Sequence, residues 1–413
     1  LKDYVVESSA NTNPLDALVV VLRGAGFKNI IEARKFVKEA GILPADATNK
    51  QIDETVEAAV VAAARQIVAE GKSPAETFKA LTALYGNQPN LASRTGTSVA
   101  NQAYSTPMPL AYVASRLAGV KAAAEVYEPT AGNGALLIEA DPAKTYANEI
   151  DPDRAASLKS QGFTVTSKDG AEVPTLTDID SVIMNPPFGA VKEGGKSKVF
   201  ELGDLTTTKI DHAISLNALE AMADDGKAVL IIGGTKAESD KERTASYRGL
   251  NMKDAKTGKG KDNFYRVLYD RYNVTDHFTV SGDLYTKQGA SWPVDVIVIE
   301  GRGKSQRPLP GTPKGVPALL KSWDALAEKI PNDTANDRTG DRPARKPVAP
   351  VERPTAVDEV RGDEDVGTGA VAGKPEKGTK PASVRADASV GQPAGGRGDA
   401  VGQGDVPAGG RGD

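Results

Sequence analysis

The segment VYEPTAGNGALL, residues 126–137, places Gly132 and Gly134 between two apolar runs. Glycine lets the backbone approach a ligand, and a helix that starts beyond such a turn offers free N–H groups. The segment therefore predicts a strand, a tight turn and a helix, with a ligand at the turn. The pattern is weak evidence when taken alone, because tight turns between strand and helix also use glycine for geometry.

Short apolar runs alternate with helical patterns on both sides of this turn, from about residue 104 to 302. The runs are AEVYEP, KTYANEI, FTVTS, DSVIMNP and KAVLIIGG, followed after an interruption by HFTVSG and VDVIVIEG. Such alternation predicts an α/β fold, a Rossmann-like, mostly parallel sheet with helices on both faces. A short polar loop, 283–291, separates the last two runs and predicts an antiparallel hairpin at the end of the sheet.

Two flanking regions differ from this pattern. Residues 1–95 carry apolar residues at helical spacing and predict a helical N-terminal region, with helix starts at 46–48 and 73–74 and with no catalytic feature. From 329 to 413 the chain is rich in Gly, Pro, Arg and Asp, and after Ile330 it has no Leu, Ile, Met, Phe, Tyr or Trp. This predicts a disordered tail or linker. The sheet domain is placed at 96–328.

Composition excludes several kinds of site. The chain has no cysteine, which excludes disulfides, thiolate metal ligands and thiol nucleophiles, and two histidines, His212 and His277, leave little for zinc. The net charge of −4 means that a nucleic-acid partner needs a local basic patch. No apolar run reaches the roughly 20 residues of a membrane span, and the first residues lack a signal-peptide core, so a cytoplasmic protein is expected. The initial Leu and the repeated PAGGRGD favour a fragment of a longer product.

Four further positions predict a nucleoside ligand. Glu149 ends the next strand, where a carboxylate can accept both hydroxyls of a ribose. Leu137 stands where a pyrophosphate-binding motif has its third glycine, which favours a ligand without pyrophosphate. Asp169 follows the third strand and could accept from an adenine amino group, or serve only as a turn residue. Thr106 could contact the carboxylate of the ligand, or cap the helix that follows it.

The segment SVIMNPPFGAVKEGG, residues 181–195, adds Asn185, Pro186, Pro187 and Phe188 directly after a strand. Together these segments resemble the class I S-adenosylmethionine-dependent methyltransferases, in the amino-methylating branch whose signature is Asn/Asp-Pro-Pro-aromatic. Their order is similar to the gamma arrangement of adenine-N6 DNA methyltransferases. The resemblance covers about residues 100–302.

The resemblance implies S-adenosylmethionine as cofactor and assigns roles to the matching positions. It places Glu149 at the ribose, Asp169 and Ile150 at the cofactor adenine, and Thr106, Glu128, Gly132 and Gly134 around the methionine moiety.

An exocyclic amino nitrogen is a poor nucleophile because its lone pair is delocalised, so a site must localise that pair and align it with the methyl group. The side-chain oxygen of Asn185 and the carbonyl of Pro186 would accept the two amino hydrogens. The prolines would fix the direction of that carbonyl, and Phe188 would stack on the base. Cytosine C5 methylation is excluded because it needs a cysteine. A base in duplex DNA would have to be flipped out.

Two segments are candidates for contact with DNA. Residues 236–271 carry ten basic and six acidic residues, with Tyr247, Phe264, Tyr265 and Tyr269 among them. They predict a nucleic-acid surface, or else a solvated helix and loop with scattered charges. The Gly- and Lys-rich loop 189–198 predicts a mobile lid. His212 is expected to be a structural residue behind the site.

The segment LYGNQPNLASRTGTSVANQAYSTPMPLAYVASRLAG, residues 84–119, resembles the methyltransferase part of phage and plasmid strawberry-notch-like helicase/methyltransferase proteins, over about residues 80–325. This resemblance implies a covalently linked helicase part, which is missing from this chain because the chain has no phosphate-binding motif of a helicase. It also implies that the substrate is phage or plasmid DNA, which methylation would protect from restriction. Three other functions stay open: a protein glutamine-N5 methyltransferase, an RNA adenine methyltransferase, and a non-catalytic DNA-binding module.

Overall fold

The structure is a computed structural model that describes residues 14–91, 105–193, 195–203, 205–250, 263–289 and 291–331. The predicted tail from residue 332 onward lies outside the described residues, and so do residues 251–262 of the predicted nucleic-acid surface. Among the described residues, no helix combines the length and the apolar character needed to cross a bilayer.

Four helices form the N-terminal region: α1 Pro14–Arg23, α2 Ile30–Glu39, α3 Asn49–Ala69 and α4 Pro74–Asn87. Thr48 and Gln51 form a capping box at the start of α3, and Ser73 and Glu76 form another at the start of α4. Each box satisfies backbone N–H groups that have no partner inside the helix. The helix starts predicted at 46–48 and 73–74 are confirmed.

Eight strands form the main sheet, in the spatial order β12-β10-β11-β9-β4-β1-β2-β3. Their bounds are β1 Val126–Glu128, β2 Thr145–Asn148, β3 Thr164–Thr166, β4 Ile179–Met184, β9 Met222–Gly233, β10 Tyr272–Val280, β11 Val294–Arg302 and β12 Ala318–Leu320. The pairs β1–β2, β1–β4, β2–β3, β4–β9 and β10–β12 are parallel, and β11 pairs antiparallel with both β9 and β10. Two small hairpins lie outside this sheet: β5 Lys192–Glu193 with β6 Lys196–Ser197, and β7 Phe200–Leu202 with β8 Leu205–Thr207.

Side chains alternate between two hydrophobic cores along the central strands. On β9, Val229 and Ile231 join the core beneath the N-terminal helices, while Leu230 and Ile232 join the core on the opposite face. The period of two places successive side chains on opposite faces, and burial of both faces explains why the strands are continuous apolar runs. The N-terminal helices thus share one core with one face of the sheet.

Further helices cover the two faces and the edges. They are α5 Met108–Ala118, α6 Pro152–Ser160, α7 Ile210–Leu219, α8 Asp240–Leu250, α9 Phe264–Arg271 and α10 Trp323–Ala327. Helix α5 belongs to the core shared with the N-terminal helices, and α7 to the opposite core. A mostly parallel sheet between helices, with strand β11 reversed between β9 and β10, confirms the predicted fold class, an α/β fold with a Rossmann-like sheet. The predicted hairpin is the β10–β11 pair, and β12 adds an edge strand that was not predicted.

The helix predicted after the glycine turn is much shorter in the structure than expected. Only one 3-10 turn, Ala135–Leu137, follows Gly134 before the chain reaches Pro142 and β2. Arg65 of α3 donates from Nη1 to the carbonyl of Leu137 at 2.8 Å and from Nη2 to that of Ala140 at 3.3 Å. A long-range side chain therefore satisfies carbonyls that a continuing helix would have satisfied.

A buried polar network joins β11 to α8, α9 and β10. Asp295 is fully buried and accepts hydrogen bonds from Tyr247 Oη at 2.7 Å, Tyr265 Oη at 2.8 Å and Thr279 Oγ1 at 2.6 Å. Its carboxylate also lies 3.4 Å from His277 Nε2. Burial opposes ionisation, but the hydrogen bonds and His277 outweigh it and hold the pKa of Asp295 below its usual value.

Asp295→Ala is expected to lower the free energy of unfolding by about 3–5 kcal/mol, because it removes the buried carboxylate that accepts hydrogen bonds from two tyrosine hydroxyls and Thr279. Urea denaturation measures the change. Asp270→Ala is the control, since this exposed carboxylate lies 3.8 Å from Lys304 and its removal should change stability by less than about 0.5 kcal/mol. Equal effects of the two substitutions would contradict this role for the network.

Candidate functional site

A cleft of about 640 Å³ opens at the edge of the sheet where β1, β2 and β4 end. A smaller recess of about 50 Å³ lies beside it. Ser105, Thr130, Gly132 and Asn185 line both cavities, so the recess adjoins the cleft at these residues. Carboxyl ends of parallel strands are where ligands bind in open α/β sheets.

Gly132 forms the wall between the two cavities. Its φ of +56° is favoured by glycine, and a Cβ atom built there would meet nothing within 4 Å, so open space adjoins the backbone. The Gly132 N–H donates to Glu149 Oε2 at 2.8 Å. Glu149 Oε1 accepts from the Asp151 N–H at 2.8 Å and lies 3.2 Å from Arg154 Nη2. The predicted ribose carboxylate is therefore held in place at the wall of the cleft.

Gly134 lines neither cavity. Its φ is +87°, and a Cβ atom there would lie 3.2 Å from Leu158 Cδ2. The turn geometry and the packing against α6 account for this glycine, and the structure does not bring it to the candidate site.

Asn148, the last residue of β2, ties three strand ends together. Its Nδ2 donates to the carbonyls of Pro129 and Lys168, each at 3.0 Å. Its Oδ1 accepts from Thr166 Oγ1 at 2.7 Å and from the Lys168 N–H at 2.9 Å. Asn148 also lines the cleft. Sequence reasoning missed it, and the available signal was a polar amide directly before Glu149 at a strand end.

Asp169 and Ile150 both line the cleft. Both are predicted from the sequence to contact the same part of the ligand. Ile150 is 62% exposed, unusual for an isoleucine of a folded domain. Asp169 Oδ1 accepts from the Ala171 N–H at 2.9 Å, and Oδ2 lies 3.9 Å from Lys198 Nζ. Asp169 is thus both a turn residue and a residue of the cleft wall.

Glu128 ends β1 at the recess with its side chain buried. Its Oε2 has no hydrogen-bond partner among the described residues. Burial and, second, the nearby Glu149 raise the pKa of Glu128 well above its usual value. A carboxylate in this position suits a cationic ligand group.

The Asn-Pro-Pro-Phe segment follows β4 and borders the cleft. Asn185, Pro187 and Phe188 line the cleft, while Pro186 between them is buried. Asn185 Nδ2 donates to Thr106 Oγ1 at 2.8 Å, which fixes the orientation of the amide. Phe188 packs beside Gly233 at the end of β9, where a Cβ atom built on the glycine would lie in van der Waals contact with Phe188 Cβ at 3.6 Å.

Thr106 does not cap the helix that follows it. Helix α5 begins after Pro107 and has no side-chain cap. Thr106 is buried, lines the recess and holds Asn185. The hydroxyl therefore connects the recess to the segment that borders the cleft.

The prediction that the aromatic side chains of residues 236–271 belong to a nucleic-acid surface is wrong. Tyr247, Phe264, Tyr265 and Tyr269 are each no more than 2% exposed, so they cannot stack on bases. The physical reason is that α8 and α9 pack these rings into the second core and direct the tyrosine hydroxyls toward Asp295 and His277. His212 is buried among them and stacks on Phe264 with ring centroids 4.0 Å apart.

The loop predicted as a lid forms the β5–β6 hairpin beside the cleft. Ala190, Val191 and Lys192 line the cleft, and Lys192 and Lys196 are exposed. The described part of this loop thus places lysines beside Phe188.

Helix α3 supplies side chains to the site that sequence reasoning missed. Glu57 Oε2 accepts from Ser105 Oγ at 2.5 Å, and Glu54 Oε2 accepts from Asn133 Nδ2 at 3.1 Å. Glu57 also lines the recess. Burial and, second, Glu57 raise the pKa of Glu54 to about 7. The available sequence signal was a pair of carboxylates three residues apart, directly before a long apolar run in the same helix.

No protein-family model and no curated protein matches the sequence. A modification subunit of a putative type I restriction enzyme from Vibrio vulnificus is 13% identical, with a TM-score of 0.39 over 62% of this chain and 57% of that one. A putative class I S-adenosylmethionine-dependent methyltransferase from Listeria monocytogenes is 13% identical, with a TM-score of 0.37 over 77% and 96%. The type I restriction enzyme EcoKI M protein is 14% identical, with a TM-score of 0.36 over 73% and 69%. The chain spans little more than half of the Vibrio subunit, and likenesses of this size assign neither a family nor an activity.

Glu54 predicts a pH dependence of stability. Its pKa is raised in the folded chain, so its contribution is fully present below the ordinary glutamate pKa and is lost as the pH rises through about 7. Glu54→Gln removes this ionisation and can still accept from Asn133. Between about pH 5 and pH 8, the stability of the wild type relative to Glu54→Gln is expected to fall by about 2–3 kcal/mol. Denaturant titrations at both pH values measure it, and a difference that is independent of pH would contradict the assignment.

Proposed function

We propose that this chain is an S-adenosylmethionine-dependent methyltransferase that methylates the N6 amino group of adenine in DNA. The observation that carries the proposal is the position of Asn185. Its amide is fixed by Thr106 at the point where the recess adjoins the cleft. A methyl group at that junction would lie within reach of a base that occupies the cleft.

The cavities fit the two halves of S-adenosylmethionine. The recess, with the buried Glu128, suits the ammonium group of the amino-acid end, and the cleft is large enough for the adenosine. Glu149 would hold the ribose, Ile150 would lie along the adenine and Asp169 would accept from its amino group. Gly132 would let the backbone approach the ligand. Thr106 would border the methionine moiety.

The bound cofactor would supply an electrophilic methyl group on a positively charged sulfur. The chain has to orient the lone pair of the target nitrogen toward it. Asn185 Oδ1 and the carbonyl of Pro186 would accept the two amino hydrogens, which draws the lone pair out of the ring system. Pro187 would restrict the backbone, and Phe188 would stack on the base. No thiol nucleophile enters this chemistry, in keeping with a chain that has no cysteine.

DNA is supported as the substrate by the lysines around the cleft. Lys168 and Lys192 line it, and Lys196 is exposed on the same hairpin as Lys192. Ammonium groups beside the base pocket can neutralise phosphates that flank a flipped adenine. The resemblance to helicase/methyltransferase proteins adds a setting to the proposal, the modification of phage or plasmid DNA by a chain linked to a helicase part.

The test is transfer of labelled methyl from S-adenosylmethionine to unmodified DNA, with nucleoside digestion to identify the product. RNA and a peptide-release factor are run in parallel. N6-methyladenine from DNA is the expected result. Label in the release factor alone would support the glutamine-N5 function instead, label in RNA alone would support the RNA function, and label in none of them would contradict a methyltransferase.

Asn185→Ala is expected to lower methyl transfer by at least about 1,000-fold and to leave cofactor affinity within a few fold, because the amide acts on the target nitrogen. Single-turnover rates and calorimetric titration measure the two effects. Asn273→Ala on β10 is the matched control, since Asn273 Nδ2 donates to the carbonyl of Glu300 at 3.0 Å and the residue lines neither cavity. Parallel loss of rate and affinity in Asn185→Ala would contradict the role.

Thr106→Val is expected to lower kcat about 10- to 100-fold, because the amide of Asn185 loses the acceptor that orients it. Thr106→Ser restores the hydroxyl and should recover most of the rate. A weaker cofactor affinity with an unchanged kcat would show instead that Thr106 acts on the cofactor alone.

A further inference from the structure

Side chains on one face of helix α3 contact residues in or next to the candidate site. Lys50, Glu54, Glu57, Val61 and Arg65 recur at helical spacing and therefore share one face. Lys50 Nζ lies 2.8 Å from Asp151 Oδ2 at the start of α6, and Arg65 binds the carbonyls that follow the glycine turn. Between these two anchors, Glu54 contacts Asn133 and Glu57 contacts Ser105. The helix is thus fixed against the turn by charged side chains along its length.

Glu57 and Glu128 border the same small recess from opposite parts of the chain. Val60, Val61 and Met108 form apolar parts of its wall. The recess has room for one small ligand group. Glu128 is 2% exposed and lines this recess, and its buried Oε2 has no hydrogen-bond partner among the described residues. A buried carboxylate oxygen of this kind points to a cationic ligand, because burial without a partner is unfavourable.

The cations near the recess are already engaged by other carboxylates. Arg154 Nη2 lies 3.2 Å from Glu149, and Lys50 pairs with Asp151 and Asp153. Among the described residues, no group of three or more His, Asp or Glu side chains could hold a metal ion. A primary ammonium group fits better, since it carries one positive charge and three donors for oxygen acceptors on different sides.

We propose that Glu57 of the N-terminal helical region, together with Glu128, binds the α-ammonium group of the methyl donor. This inference rests on the proposed function and assigns a cofactor-binding residue outside the sheet domain. It makes α3 a wall of the cofactor site in addition to a packing element. Methyl donors that lack the ammonium group gain nothing from Glu57.

The test compares two ligands in Glu57→Gln. S-adenosylmethionine carries the ammonium group, and 5′-methylthioadenosine has the same adenosine but a neutral thioether sulfur and no amino-acid part. S-adenosylhomocysteine, which has the ammonium group beside a neutral sulfur, is the control for the sulfur charge and should lose affinity as S-adenosylmethionine does. Glutamine keeps an oxygen that can accept from Ser105, so the local fold is preserved. Calorimetry on the full chain is expected to show a Kd for S-adenosylmethionine about 10- to 100-fold weaker than in the wild type, with the Kd for 5′-methylthioadenosine unchanged.

Glu39→Gln on α2 is the matched control, since this exposed carboxylate lines neither cavity and lies 3.7 Å from Lys35 Nζ. It should change neither Kd. An unchanged Kd for S-adenosylmethionine in Glu57→Gln would overturn the inference, and an equal loss for both ligands would show a structural role only. A wild-type chain that binds neither ligand would instead refute the proposed function itself.

Discussion

The buried carboxylate of Glu128 is the constraint on which the rest of the site depends. It lies at the end of the central strand β1, inside the core shared with the N-terminal helices, and one of its oxygens has no described partner. Burying an ionisable group in this way costs several kcal/mol unless a charge or hydrogen bonds compensate it. Burial raises the pKa of Glu128 well above its usual value, so the carboxyl group holds a proton to higher pH. A cationic ligand can replace that proton.

Hydrogen bonds around Glu128 fix the position of this recess relative to the cleft. Asn148 joins the ends of β1, β2 and β3, and Glu149 fixes the glycine turn through the Gly132 N–H. Thr106 and Asn185 then connect the recess to β4. Each link is a short hydrogen bond between segments that are distant in sequence. A methyl donor held at the recess would thereby have a fixed position relative to a base in the cleft.

Much of the fold could be predicted because strands that are buried on both faces contain continuous apolar runs, and such runs are visible in the sequence. Residues 182–184 and 228–232 are apolar at every position, as expected for strands between two helical layers. The predicted contacts of Gly132, Glu149 and Asn185 with one region also follow from their positions at strand ends, which a parallel sheet brings to one edge. Their functional roles remain proposals.

The features that could not be predicted depend on long-range contacts. Tyr247 and Tyr265 occur in a basic, polar segment, and only the buried Asp295 explains why they face inward. Glu57 meets Ser105 across 48 residues of chain, so helical periodicity shows its face but not its neighbour. The short turn after Gly134 is decided by Arg65, which comes from α3.

Proton release on cofactor binding tests the central claim most directly, namely that the recess exchanges a proton for a cationic group. Calorimetric titration of the full chain with S-adenosylmethionine, in buffers of different ionisation enthalpy and across about pH 5–8, measures the number of protons released. The account predicts a release that reaches about one proton per ligand and is lost in Glu128→Gln. Tight binding without proton release at every pH, or an equal release from Glu128→Gln, would contradict it.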